Sequence, residues 1–184
     1  MFAFSLMTKE CRSLSLIQPK VKRKEDFVLD GDTVRARMSG IRKDPYPVPL
    51  ERAIQHVDVT RLFLSTIYGG SAQETFPRIA KEKLAVHGLN DFMYPNLDLN
   101  PYAPELPGAS GLFFAPSDQA TRKWEQHVQR VITRLKAGAW LYVGQYRIVP
   151  VASLTKDEWA SQKDKVLSTC RPDDKPYRRK FFFF

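Results

Sequence analysis

The chain has 184 residues, and its 43% hydrophobic and 27% charged residues are typical of a globular protein rather than a disordered one. No apolar run approaches the roughly 20 residues that span a bilayer, which excludes an ordinary membrane-spanning helix. The formal net charge of +9 favours acidic partners, because a net positive field attracts polyanions.

The sequence predicts an intracellular protein with reduced cysteines. The first residues have no cationic region ahead of their apolar stretch, and Lys9 and Glu10 interrupt that stretch. Cys11 and Cys170 stand near opposite ends of the chain, whereas secreted disulfide scaffolds carry several closely spaced pairs.

Residues 1–50 are predicted to be a basic N-terminal extension with a Pro-rich linker. The run PKVKRK contains Lys22, Arg23 and Lys24, and it resembles a nuclear-import signal or a nucleic-acid-binding patch. The later run DPYPVP (44–49) is expected to be an extended spacer, because alternating prolines fix φ and remove hydrogen-bond donors. We place the boundary of the folded domain at residue 50.

Two short helices are predicted next, at residues 58–68 and 78–87. Asp58 is the expected cap of the first, and Gly69 its left-handed stop. The side chains expected to face the core are Val59, Leu62, Phe63 and Ile67. The second helix is expected to end at Gly88.

Residues 89–110 have neither a helical nor a strand period, yet they are rich in apolar side chains. They are predicted to be an ordered loop on the core, followed by a strand at 111–115. The Pro-rich part, 94–110, could serve as a protein-binding loop with Tyr94 and Tyr102 as its anchors.

Residues 117–138 are compatible with one amphipathic helix, or with a short helix, a strand at 128–135 and a hairpin turn. The strand that follows, Trp140 to Val149, is rich in β-branched and aromatic residues. Thr155 and Glu158 then form a capping-box pair, which predicts a helix from Lys156 to about Thr169. Residues 171–184 are predicted to be a basic tail.

Several motifs between residues 55 and 170 carry a family resemblance. The motifs are YGG (68–70), HGLNDF (87–92), NPYAPELPGASGLFF (100–114), WLYVGQYRIV (140–149) and SLTKDEW (153–159). They resemble an uncharacterised domain recurrent in proteins of mushroom-forming (basidiomycete) fungi. The resemblance implies no activity, but it favours the hairpin over the helix for the segment before Trp140.

A hairpin that pairs Leu135 with Trp140 would have one apolar face and one basic face, because side chains alternate along a strand. The apolar face would comprise Val131, Thr133, Leu135, Trp140, Tyr142, Gly144, Tyr146 and Ile148, and the basic face Arg130, Ile132, Arg134, Leu141, Val143, Gln145 and Arg147. Gly144 would allow a close approach or a bulge. A base-stacking platform needs rings beside cations, so this separation disfavours one.

The sequence therefore predicts an α+β fold, a small antiparallel and barrel-like sheet flanked by short helices, over residues 51–170. The leading hypothesis is a non-enzymatic, nuclear module that binds an acidic partner, most of all nucleic acid, through backbone phosphates. The residues assigned to that role are Arg130, Arg134, Lys136, Arg147 and the cations of PKVKRK. The alternatives are the protein-binding loop and an enzyme with a site near His87 and Asp91.

No cofactor or metal is expected. The histidine and cysteine residues are scattered, whereas a structural zinc site needs four ligands at characteristic spacings. The sequence also has no G-x-S-x-G elbow and no phosphate-binding Gly-rich loop.

Overall fold

The computed structural model describes residues 29–40, 47–115, 128–152, 155–160 and 180–183. The helices are α1 (Gly31–Arg37), α2 (Arg61–Tyr68), α3 (Lys81–His87) and α4 (Lys156–Ala160). The strands are β1 (Phe92–Met93), β2 (Leu112–Ala115), β3 (Val128–Lys136), β4 (Ala139–Arg147), β5 (Val149–Val151) and β6 (Lys180–Phe183). Short helices placed around separate strands confirm the predicted α+β class.

The strands form two small sheets. The hairpin sheet has the order β1-β3-β4, and the second sheet has the order β2-β6-β5. In the hairpin sheet β3 pairs antiparallel with β4, but β1 runs parallel to β3, so this sheet is mixed rather than antiparallel. Neither sheet closes into a barrel within the described residues.

Residues 128–136 form a strand, so the single-helix alternative for this segment is wrong. The run of Val131, Ile132 and Thr133 suits a strand, because β-branched side chains pack well on a pleated surface. A two-residue turn reverses the chain at Gly138, whose φ of 77° is easily reached only by glycine.

Both faces of the hairpin sheet are buried against other parts of the chain. The cluster on one face comprises Met93, Leu97, Ala103, Phe113, Val131, Leu141, Val143, Tyr146 and Ile148. The cluster on the other face comprises Leu64, Ile79, Phe92, Tyr94 and Ile132, with Trp140 and Tyr142 at its margin. The predicted loop at 89–110 is ordered on the core, as expected, and Pro95, Leu97 and Pro104 are fully buried in it.

Helix α2 turns a different face to the core from the one predicted. Leu64 and Arg61 are buried, whereas Leu62 is 72% exposed and Phe63 and Ile67 are also exposed. The cap is the side chain of Thr60, which accepts a hydrogen bond from Phe63 N–H at 3.1 Å, and not Asp58. Gly69 does end the helix with a positive φ of 82°.

The two other predicted helix signals are confirmed. Helix α3 ends at Gly88, which has the left-handed φ of 69°. Helix α4 begins at Lys156 with the reciprocal capping box, because Thr155 N–H donates to Glu158 and Glu158 N–H donates to the Thr155 hydroxyl. The predicted continuation of this helix to Thr169 lies outside the described residues.

The segments predicted as an extension and a tail also contribute to the fold. Leu29 is buried against Leu112, and the Tyr102 hydroxyl both donates to and accepts from the backbone of Leu29. Residues 180–183 form the central strand of the second sheet, paired on both sides. These described residues outside 51–170 therefore pack or pair with residues inside it, while the boundaries at 50 and 170 stay predictions.

Gly111 stands where the chain enters β2 with almost no space beside it. A Cβ at this position would lie 2.6 Å from the Tyr102 carbonyl oxygen and 2.7 Å from Pro104 Cδ. We expect Gly111→Ala to lower the free energy of unfolding by about 1–3 kcal/mol, as overpacking does. Urea denaturation should show this loss, and Gly31→Ala, where a Cβ meets nothing within 4 Å, is the control without a clash.

Candidate functional site

A β-bulge in the hairpin determines which side chains share a face. Val131 lies opposite Gly144, but Ile132 lies opposite Tyr142, so Val143 is an extra residue on β4. Gly144 at the bulge has a φ of 139°, a backbone conformation that residues other than glycine rarely adopt. The predicted register is thus correct for residues 128–131 and wrong by one residue for 132–134.

The bulge moves two aromatic rings to the arginine face. Trp140 lies opposite Arg134 and Tyr142 lies opposite Ile132, so both rings project from the same side as Arg130 and Arg134. In exchange, Leu141 and Val143 turn into the other core cluster, where Tyr146 and Ile148 also lie. The prediction that rings and cations occupy opposite faces is therefore wrong for Trp140 and Tyr142.

Three of the four predicted cations of the hairpin lie on β3, and the fourth, Arg147, lies on β4. Arg147 lies opposite Val128, and Arg130 and Arg134 follow on the same face of β3, whereas a second register shift places Lys136 opposite Ala139 at the hairpin tip. At about 3.3 Å per residue, this row from position 128 to 136 is about 26 Å long. The cations Lys22, Arg23 and Lys24 lie outside the described residues.

The four hairpin cations differ in their partners. Arg130 forms an ion pair with Asp91, and Arg134 approaches Asp98 at 3.8 Å. Arg147 and Lys136 are exposed, and no carboxylate pairs with either of them within the described part of the chain. The unpaired charge of the row is therefore at its two ends.

The aromatic residues beside the row keep part of their surface in water. Trp140 and Tyr142 are half-buried. Burial raises the pKa of Tyr142, because the phenolate loses solvation, although the neighbouring Arg130 opposes this. Tyr142 is therefore a neutral hydroxyl at the edge of a cationic surface and can donate a hydrogen bond.

Deeper on the same face lies a buried arginine that the sequence analysis did not identify. The guanidinium carbon of Arg61 stands 3.3 Å from the centre of the Tyr94 ring and 5.8 Å from the centre of the Trp140 ring. Tyr94 also packs edge-on against Trp140 and stacks with Phe92. A sequence signal exists, because Arg61, Leu64 and Tyr68 share one helical stripe, but the neighbouring stripe is more apolar.

His87 and Asp91, the positions suggested for an enzyme, are held in structural contacts. One ring nitrogen of His87 accepts from Leu89 N–H at 3.0 Å, and the other donates to the Tyr68 carbonyl at 3.1 Å. Asp91 is paired with Arg130. Both side chains are therefore engaged in contacts within the fold, and an enzymatic role near them stays a prediction.

The two tyrosines suggested as protein-binding anchors differ in their exposure. Tyr94 is only 2% exposed, and the Tyr102 hydroxyl is engaged with the backbone of Leu29. A ring that serves as an anchor must be reachable by a partner. Tyr94 does not meet this condition in the structure, whereas the half-buried Tyr102 keeps part of its surface exposed.

The described residues contain neither a metal cluster nor a long apolar helix. Within them, no three His, Cys, Asp or Glu side chains lie close enough to hold an ion. No helix among the described segments has the length and apolar character required to cross a bilayer.

Comparisons with known proteins identify the family but no function. Residues 58–172 match the family model described as Domain of unknown function (DUF6697). No curated protein matches the chain, and no solved structure does. Because the matched residues make up more than half of the 184, the chain belongs to the DUF6697 family.

Proposed function

We propose that this domain is a non-enzymatic module that binds nucleic acid through its backbone phosphates. The single observation that carries the proposal is the shared face of the hairpin, where Arg130, Arg134 and Arg147 project on the same side as Trp140 and Tyr142. Cations beside partly exposed rings are the combination that proteins use to bind single strands.

The geometry of the row suits an extended polyanion. Its length of about 26 Å, at 3.3 Å per residue, exceeds what one small anion can contact. The unpaired cations, Arg147 and Lys136, stand at the two ends, so they meet phosphates that are several nucleotides apart. Arg130 and Arg134 lie between them and can exchange their carboxylate partners for phosphate oxygens.

The distribution of charge assigns part of the affinity to segments outside the domain. Residues 51–170 contain 14 Lys and Arg residues against 12 Asp and Glu residues, a net charge of +2 out of the total of +9. Lys22, Arg23 and Lys24 therefore add attraction in the proposed complex. A nuclear location and an occurrence in fungal proteins, as the basic run and the family resemblance suggest, belong to the same proposal.

The test is a salt-dependent comparison of charge-reversal variants in the full chain. We expect Arg147→Glu combined with Lys136→Glu to weaken binding of a fluorescein-labelled 20-nucleotide single strand at least tenfold. The slope of log affinity against log salt should also fall by about 1.4, because each lost phosphate contact on a single strand contributes about 0.7. Fluorescence anisotropy over a salt series measures both quantities.

The matched control makes the same change in net charge at two residues away from the hairpin. Arg52 and Lys156 are exposed and lie off the hairpin, so Arg52→Glu combined with Lys156→Glu should alter affinity only through the general field. Equal losses in the two double variants would contradict a hairpin interface. Affinity that does not change with salt would contradict the proposal as a whole.

A further inference from the structure

The Arg61 guanidinium is buried without a carboxylate partner. The residue is only 7% exposed, and its Nη2 donates to the backbone carbonyls of Ser71 at 2.5 Å and Glu74 at 3.4 Å. The Glu74 carboxylate acts only at a distance, as a weak influence that raises the pKa of Arg61. A cation at this depth normally has an anion in contact with it.

The remaining donors of Arg61 are unused. Nε and Nη1 are both buried and have no hydrogen-bond partner, so three of the five N–H bonds of the guanidinium donate to nothing. Burial lowers the pKa of Arg61, because the charged form loses solvation, but an arginine stays protonated in proteins. The charge therefore persists and its donors are available to an acceptor.

A further unused polar group lies beside them. The Tyr94 hydroxyl is buried and makes no hydrogen bond of good geometry, although it is close enough to the Arg61 guanidinium for an N–H···O attraction that affects the pKa of both groups. Burial raises the pKa of Tyr94, so the hydroxyl is neutral and can donate. Three N–H bonds of Arg61 and the Tyr94 O–H are thus buried around one positive charge without well-placed acceptors. Burying such donors is energetically unfavourable unless oxygen atoms accept from them.

We propose that Arg61 and the Tyr94 hydroxyl bind a phosphate group. Nε–H and Nη1–H lie on different edges of the guanidinium, and the phenol adds a further direction. A planar carboxylate engages one edge, whereas a tetrahedral phosphate presents acceptor oxygens in several directions at once. The inference rests on the unpaired donors alone and does not depend on nucleic-acid binding by the hairpin row.

The site lies one layer of chain below the surface. Ser71 and Glu74, whose carbonyls cover one side of the guanidinium, are exposed residues, and Trp140 on another side is only half-buried. Because Arg61 is only 7% exposed, the proposal requires the Ser71–Glu74 segment or the indole to move when a phosphate binds. Arg134, which lies opposite Trp140 on the same face, adds positive charge along the approach.

The direct experiment follows the side chain of Arg61 in the unaltered full chain. The probe is inorganic phosphate, compared with sodium chloride at matched ionic strength, and the signal is the Arg61 ¹⁵Nε–H resonance. We expect a saturable shift with phosphate and none with chloride. No shift at about 20 mM phosphate, where a site with a Kd of about 1 mM is nearly full, overturns the proposal.

Variants separate recognition from folding. Phosphate should raise the Tm of the unaltered chain and of Arg52→Gln, a change at an exposed residue off the hairpin, but not that of Arg61→Met, which keeps a long apolar stem without donors. An equal Tm shift in Arg61→Met overturns the proposal.

Should Arg61→Met fail to fold, Tyr94→Phe keeps the ring and loses only the hydroxyl, and its phosphate affinity should fall about 3- to 10-fold. Unchanged affinity of Tyr94→Phe for phosphate contradicts the role of the hydroxyl.

Two oligonucleotides distinguish a terminal phosphate from a free one. If the phosphate belongs to a nucleic acid, a 5′-phosphorylated strand binds more tightly than the same strand with a 5′-hydroxyl, and only Arg61→Met or Tyr94→Phe removes the difference. If the ligand is free phosphate, both strands bind equally while inorganic phosphate still moves the Arg61 resonance. Binding of the 5′-hydroxyl strand reports on the hairpin row, so failure of either proposal is recognised separately.

Discussion

Replacing Arg37 by methionine is expected to lower the free energy of unfolding by about 2–3 kcal/mol, somewhat below the 3–5 kcal/mol typical of a fully buried ion pair. Arg37 connects α1 to α4: its Nη2 donates to both carboxylate oxygens of Glu158, at 2.8 and 2.7 Å, and its Nη1 donates to the Ala152 carbonyl. The two side chains are only 11% and 18% exposed. The variant leaves a largely buried carboxylate without its cation.

The same pair predicts how stability depends on pH. Burial alone would raise the pKa of Glu158, but the hydrogen bonds from Arg37 and Thr155 outweigh it and hold the pKa below its ordinary value of 4.5. A carboxylate whose pKa is lowered on folding stabilises the protein above its unfolded pKa, and this contribution is lost as the pH falls through the folded value. Part of the stability should therefore disappear below about pH 4.5, and Glu158→Gln should remove that part of the pH dependence.

A second arginine on the same helix provides the control. Arg35 pairs with Asp32, but both side chains are more than three-quarters exposed, so Arg35→Met should change stability by less than about 0.5 kcal/mol. Urea denaturation measures the global loss, and hydrogen exchange at Val34 N–H and Met38 N–H shows whether α1 detaches first. Equal effects of Arg35→Met and Arg37→Met would refute the assigned role of the pair.

The parts of the fold that the sequence predicted depend on short-range interactions. The capping box of α4 and the glycine ends of α2 and α3 involve residues at most four positions apart. Such signals are specified by local backbone chemistry, so these helix ends form independently of contacts with distant parts of the chain. The hairpin itself also follows from local composition, together with the family resemblance.

The parts that the sequence did not predict depend on contacts between distant residues. Helix α2 has two apolar stripes, and the one containing Arg61 is buried because Tyr94, from a different segment, stacks on its guanidinium. Helix α1 was missed because the alternation of Val34, Ala36 and Met38 resembles a strand, whereas Asp30 caps a helix by accepting from Asp32 N–H and Thr33 N–H. The candidate site depends on the register of the hairpin, which both core clusters determine.

The bulge is the feature on which that register depends, and the surrounding contacts explain its position. The Val143 carbonyl accepts from Gly108 N–H at 2.7 Å and from the Tyr146 hydroxyl at 3.1 Å, and the Val143 side chain is fully buried. These groups belong to the Pro-rich loop and to the far end of β4. The extra residue is thus anchored from both sides, and moving the bulge would break these hydrogen bonds.

Deletion of Val143 is expected to cost at least about 3–5 kcal/mol, because it removes a fully buried side chain together with the carbonyl that accepts from Gly108 N–H and the Tyr146 hydroxyl. The remaining residues can then pair without the bulge, Val131 with Gly144 and Ile132 with Tyr142, so Trp140 and Tyr142 stay on the face of Arg130 and Arg134. Val143→Ala keeps the bulge and removes only two methyl groups, so it should cost about 2 kcal/mol. Urea denaturation compares the two, and anisotropy with the labelled 20-nucleotide strand should show binding retained in Val143→Ala and in any deletion variant that folds, because the rings and arginines still share one face. A deletion no more costly than Val143→Ala would mean that the bulge and its hydrogen bonds do not stabilise the fold, and lost binding in a folded deletion variant would mean that the bulge itself is part of the interface.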